Sequence, residues 1–94
     1  MITPAFFLML MHISTATPVG IEGPYNSTQC ASMQQRRMLA DNKDQSIMAA
    51  KGYQWLCMGG QQAQMLVKIN HCMVGQTIKR KDGIVARTYD CIGK

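Results

Sequence analysis

The hydrophobic pattern begins with an unbroken run. From Ala5 to Met11 the chain reads Ala-Phe-Phe-Leu-Met-Leu-Met, seven apolar residues in succession. A membrane-spanning helix needs roughly 20 such residues, so the run is too short to cross. Its length suits the apolar region of a secretory signal. Ser14 and Ala16 place small residues at the −3 and −1 positions of a cut after Ala16, and Pro18 follows as a helix breaker. No Lys or Arg precedes the run. Residues 1–16 are therefore read as a signal peptide and 17–94 as one small domain, with an uncleaved anchor or a buried N-terminal helix or strand as the alternatives.

Beyond the run, the polar and apolar positions outline short elements. Val19–Glu22 alternates Val and Ile with Gly and Glu, which predicts a short strand. Asn26 and Ser27 are candidate helix caps. Asn26 followed by Gln29 forms a capping-box pattern with Asn in place of Ser or Thr. A helix is expected from Thr28 to Ala40 on composition, although Cys30, Met33, Met38 and Leu39 do not form one clean stripe. Asp41–Asp44 is a polar break, and Gln45–Lys51 suggests further helical turns stopped by Gly52. Tyr53–Met58 reads as a strand with Tyr53, Trp55 and Cys57 on one face and Gln54, Leu56 and Met58 on the other. Gly59-Gly60 ends it. Gln64–Ile69 suits a strand or the end of a short helix, and periodicity does not decide. Met73–Arg80 and Ile84–Cys91 flank Lys81-Asp82-Gly83, a strong hairpin signal. Gly83 belongs at the left-handed turn position, which pairs Arg80 with Ile84.

Cysteine content changes this picture. The 94-residue chain holds four cysteines, Cys30, Cys57, Cys72 and Cys91. A chain this small gains little from its core alone and often adds a covalent staple. The hairpin register brings Cys72 and Cys91 almost opposite, leaving Cys30 for Cys57. Four cysteines allow three connectivities, so the other two stay open. An even cysteine count and an apolar leader together point to an exported, periplasmic or extracellular protein.

Candidate chemistry is sparse. The cysteines include no close pair of the kind zinc sites use, and only His71 stands beside one of them. No metal and no cofactor are expected. His12 falls in the leader, and a paired cysteine is not available as a thiolate. The five carboxylates, Glu22, Asp41, Asp44, Asp82 and Asp90, contain no evident acid–base couple. Of the nine methionines, Met1, Met9 and Met11 fall in the apolar N-terminus and the others read as core fillers, because the thioether is adaptable. Asn26-Ser27-Thr28 matches a glycosylation acceptor, but its capping role accounts for it. These absences argue against an enzyme.

Net charge is +5. Lys79-Arg80-Lys81 cluster at the hairpin turn, with Arg87 on the returning strand and Arg36-Arg37 on the helix. A basic surface attracts anionic polymers, lipids and phosphates. Lysines at such a tip also serve simply to discourage edge pairing. Lys79, Arg80, Lys81 and Arg87 are the candidate anion-binding residues. Interleaved exposed aromatics are missing, which argues against nucleic acid.

The stretch Val19-Gly20-Ile21-Glu22-Gly23-Pro24-Tyr25-Asn26-Ser27, then a helix, then Tyr53-Gln54-Trp55-Leu56-Cys57, resembles half of a SPOR-type repeat. It is also similar to small exported bacterial and phage proteins with a Cys early in the helix and another in the next strand. The resemblance covers residues 19–58 and implies peptidoglycan glycan binding; the second Gly-Pro-aromatic turn is missing, and no binding residue is carried across.

The expectation is an α+β domain, one main helix packed on a mostly antiparallel sheet with a C-terminal β-hairpin and two disulfides. Its expected work is non-enzymatic binding or inhibition in the envelope or outside the cell, with a phage as one source of such a protein and a protein or an anionic envelope polymer as partner. Membrane contact would come only through residues 1–16 if uncleaved. The alternative is a structural or assembly subunit, for example of a phage particle, that keeps its apolar N-terminus.

Overall fold

The capping box forms as the spacing requires. The Gln29 backbone N–H donates to Asn26 Oδ1 at 2.7 Å, and the Asn26 N–H donates to Gln29 Oε1 at 3.0 Å. Two helix-end donors are thereby satisfied reciprocally. Helix α1, Ser27–Ala40, starts there. The computed structural model describes residues 5–40 and 52–91. The polar break at Asp41–Asp44 and the helical turns expected over Gln45–Lys51 lie outside them.

Five strands surround this helix in sequence: β1 Phe6–His12, β2 Thr17–Tyr25, β3 Tyr53–Gly59, β4 Cys72–Lys79 and β5 Val85–Cys91. A second helix, α2 Gly60–Ile69, links β3 to β4. The strands form one sheet in the order β3-β1-β2-β5-β4. All four pairings are antiparallel. The domain is therefore α+β, an antiparallel sheet with two helices packed on it.

The apolar run read as a leader is here largely β1, an inner strand between β2 and β3. Leu8 and Met9 are fully buried on opposite faces of the sheet. Strands covered on both faces read as continuous apolar runs, because neither set of side chains meets water. Met9 and Met11 join Ile21, Met58 and Ala63 on the α2 side, with Leu56, Leu66 and Val67 packed against them. Leu8 joins Tyr25 and Cys30 on the α1 side, with Phe6, Met33 and Trp55 packed against them. Met58 fills core as expected and Met9 and Met11 do so from the run read as a leader, whereas Met65 and Met73 are exposed.

The short strand expected at Val19–Glu22 extends to Thr17–Tyr25, because β1 supplies a partner along most of its length. The two faces expected of Tyr53–Met58 are observed: Trp55 and Cys57 pack toward α1, Leu56 and Met58 toward α2. Gln64–Ile69 resolves as the second half of α2. Its Ala63, Leu66, Val67 and Asn70 fall at i, i+3, i+4 and i+7, the inward stripe of a helix.

The C-terminal hairpin closes as expected. The Arg80 N–H donates to the Ile84 carbonyl at 2.8 Å, and Gly83 has φ +87°. Glycine takes that conformation at no steric cost. Cys72 and Cys91 are direct cross-strand partners. Both expected disulfides, Cys30–Cys57 and Cys72–Cys91, are formed. Gly75-Gln76 bulges out of β4, where the Gln76 N–H takes Thr88 Oγ1 at 2.9 Å.

Candidate functional site

Glu22 is the one buried carboxylate among the described residues, 5% exposed on β2. Arg37, near the end of α1, meets it with three hydrogen bonds. Its Nε donates at 3.2 Å, and one terminal nitrogen donates to both oxygens at 3.0 and 2.8 Å. The Arg37 guanidinium also lies 5.5 Å from the centroid of Trp55. Gln34, one turn earlier, donates to the Trp55 carbonyl at 2.8 Å. These contacts fix α1 over β2 and β3.

The hairpin carries the four basic residues singled out in the sequence, all exposed. They do not form one patch. Lys79 pairs with Val85 and Thr77 with Arg87, so alternation puts Lys79 and Arg87 on the α2 side of the sheet. Lys81 sits in the turn. Arg80 turns the other way and lines a cleft with α1. Its terminal nitrogen meets Asp82 Oδ2 at 2.9 Å, and Asp82 Oδ1 accepts the Ile84 N–H at 3.1 Å.

That cleft, about 480 Å³, lies between α1 and the hairpin turn. Thr28, Gln29, Ser32 and Arg36 face it from the helix, Arg80 and Asp82 from the turn, and Tyr25 lines it from β2. Sequence reading did not bring Arg36 together with Arg80. Their separation along the chain is long, and only the return of β5 beside β2 closes it. Tyr25 is 7% exposed, and its hydroxyl has no hydrogen-bond partner. Burial, then the Glu22 carboxylate, push this hydroxyl above its ordinary 10.0, against the pull of Arg80 and Arg37.

A second concavity, about 210 Å³, runs across the α1 side of the sheet, with Gly20 and Ala86 among its lining and Leu10, Trp55 and Ile78 beside them. Small residues on the sheet make it a trough. The Trp55 indole N–H is buried without a partner.

Neither histidine meets a cysteine or a carboxylate pair. His12 hydrogen-bonds Thr15 and Ser14 through Nδ1, both at 3.1 Å, and sits edge-on to Tyr53. His71 is exposed in the tight link between α2 and β4, with φ +52°. Among the described residues no group of three or more His, Cys, Asp or Glu could hold a metal ion. No helix among them is long and apolar enough to cross a membrane. No protein-family model, curated protein or solved structure matches the chain.

Proposed function

We propose that this protein is a non-catalytic binding module of an oxidising compartment, periplasmic or extracellular, whose partner is an anionic envelope polymer. The carrying observation is the hairpin: Lys79, Lys81 and Arg87 are exposed on a disulfide-closed element, with Arg80 exposed toward α1. Two disulfides in so small a domain favour an oxidising setting. The SPOR-type resemblance of residues 19–58 is a separate support for a glycan of the envelope. On this reading β1 stays with the working domain, which its pairing with β2 and β3 supports.

The test is binding to lipoteichoic acid and lipopolysaccharide across a salt series, with duplex DNA for comparison. Lys79→Glu, Lys81→Glu and Arg87→Glu together are expected to weaken polymer binding by about tenfold or more and to flatten its salt dependence. Unchanged binding in this variant would end the proposal.

One observation favours a second reading, a structural or assembly subunit. Strand β4 is a sheet edge, and its Met73, Val74 and Ile78 are 61%, 53% and 61% exposed. Open edges with apolar side chains invite pairing with another chain. A concentration-dependent oligomer in light scattering, abolished by Ile78→Lys, would favour this reading over the first.

A further inference from the structure

We infer that the cleft between α1 and the hairpin turn binds a phosphate-bearing sugar or polyol, through Arg36 and Arg80. The inference rests on the anionic-ligand reading above and narrows it to one place and one chemistry. At about 480 Å³, the cleft is within the size range of small-molecule sites.

Two features of the lining point to that ligand. Two guanidinium groups enter from different elements, Arg36 from α1 and Arg80 from the hairpin. The planar fork of arginine matches phosphate oxygens in paired hydrogen bonds. Asp82 lines the cleft too, but both its oxygens are engaged, one by Arg80 and one by the Ile84 N–H. It orients Arg80 and leaves the cleft with one net positive charge, which selects an anionic group over a neutral sugar.

Beside the guanidiniums, Thr28, Gln29 and Ser32 offer hydroxyls and an amide from one stretch of α1. Gln29 spends its carbonyl oxygen on the Asn26 N–H, so its amide nitrogen is left to donate. Such groups match the alternating donors and acceptors of a polyol.

No exposed aromatic ring lines the cleft, so a nucleotide base would find no stacking surface.

The experiment is titration calorimetry of the full, oxidised chain with glycerol 1-phosphate, inorganic phosphate, glycerol and a poly(glycerol phosphate) chain. Saturable binding of glycerol 1-phosphate is expected, tighter than inorganic phosphate, with none for glycerol. Arg36→Gln and Arg80→Gln should each weaken it about tenfold. Tighter binding of the polymer per phosphate would identify a polymer as the source, and equal binding a free phosphorylated compound.

Lys79→Gln, Lys81→Gln and Arg87→Gln together should leave glycerol 1-phosphate binding within twofold. If the cleft variants change nothing while this triple variant abolishes polymer binding, the inference fails and the hairpin reading stands. If neither set changes polymer binding, both fail. Equal affinity for inorganic phosphate and glycerol 1-phosphate would overturn the polyol half of the inference.

Discussion

Two ion pairs of similar length have unlike consequences. Arg80–Asp82 and Arg37–Glu22 close to 2.9 and 2.8 Å. Arg80 and Asp82 have side chains 40% and 51% exposed, so water already solvates them, and such pairs contribute about 0–1 kcal/mol. Glu22 is 6% exposed at its side chain, while Arg37 keeps 36%. Arg37→Ala leaves a buried carboxylate without its cation and uncovers the Trp55 ring. Losing one partner of a buried pair costs about 3–5 kcal/mol, and the wet guanidinium brings this down to roughly 2–3 kcal/mol. Urea unfolding of Arg37→Ala beside Arg80→Ala is expected to show that difference; equal costs would contradict the burial argument. Tyrosine titration sets a pH limit at the same scale. Tyr25 is held above 10.0 first by burial and then by Glu22, and Tyr89 first by burial. Above pH 10 the unfolded chain loses these protons while the folded chain keeps them, so the folded state binds more protons and stability falls as pH rises. The contribution is whole below pH 10 and is lost toward the higher folded values. Tyr25→Phe and Tyr89→Phe should each make the alkaline decline shallower, as read by denaturant midpoints between pH 8 and 11.

Legibility differs from element to element. The α1 start and the β4–β5 turn were readable because each is a local rule, Asn-x-x-Gln for the cap and Asp-Gly for the hairpin, satisfied within a few residues. The hairpin register then made the Cys72–Cys91 pair readable too. Strand β1 was not separable from a leader. An inner strand and the apolar region of a signal both require a short unbroken apolar run, for opposite reasons, and only long-range pairing distinguishes them. Helix α2 was half seen, since its stripe begins at Ala63 after a Gly-Gly start without a side-chain cap. The Arg36–Arg80 cleft was invisible, because it depends on the strand order. The placement of β1 carries its own prediction. A chain beginning at Thr17 lacks the strand that joins β3 to β2, together with the fully buried Leu8 and Met9. It is expected to lack cooperative unfolding and dispersed amide resonances, while Met9→Ala in the full chain costs about 2–5 kcal/mol. A well-folded chain from Thr17 would support the cleaved-leader reading.

At the scale of the whole molecule, the covalent links fall where the sheet is weakest. An outer strand is hydrogen-bonded on one side only, and the two outer strands are β3 and β4. Each carries one cysteine of a disulfide: Cys57 ties β3 to Cys30 of α1, and Cys72 ties β4 to Cys91 of β5. The separations are 27 and 19 residues. In the chain-entropy account, stabilisation grows with the logarithm of loop length, so this difference is worth only about 0.3 kcal/mol. Access to reductant therefore sets the order of reduction. Cys30, on the inner face of α1, is fully buried beside a half-buried Cys57, whereas Cys72 and Cys91 are both half-buried at the open end of the hairpin. Mild reduction of the native chain followed by alkylation and peptide mapping should label Cys72 and Cys91 first. Loss of that bond frees the hairpin end and costs about 2–4 kcal/mol. It leaves α1 fastened to β3, so the Glu22–Arg37 contact and the α1 wall of the cleft persist. Opening Cys30–Cys57 instead releases the helix that bears Arg36 and Arg37, so the second reduction step, not the first, should abolish cooperative unfolding. Labelling of Cys30 and Cys57 first would mean that α1 opens more readily than its burial implies.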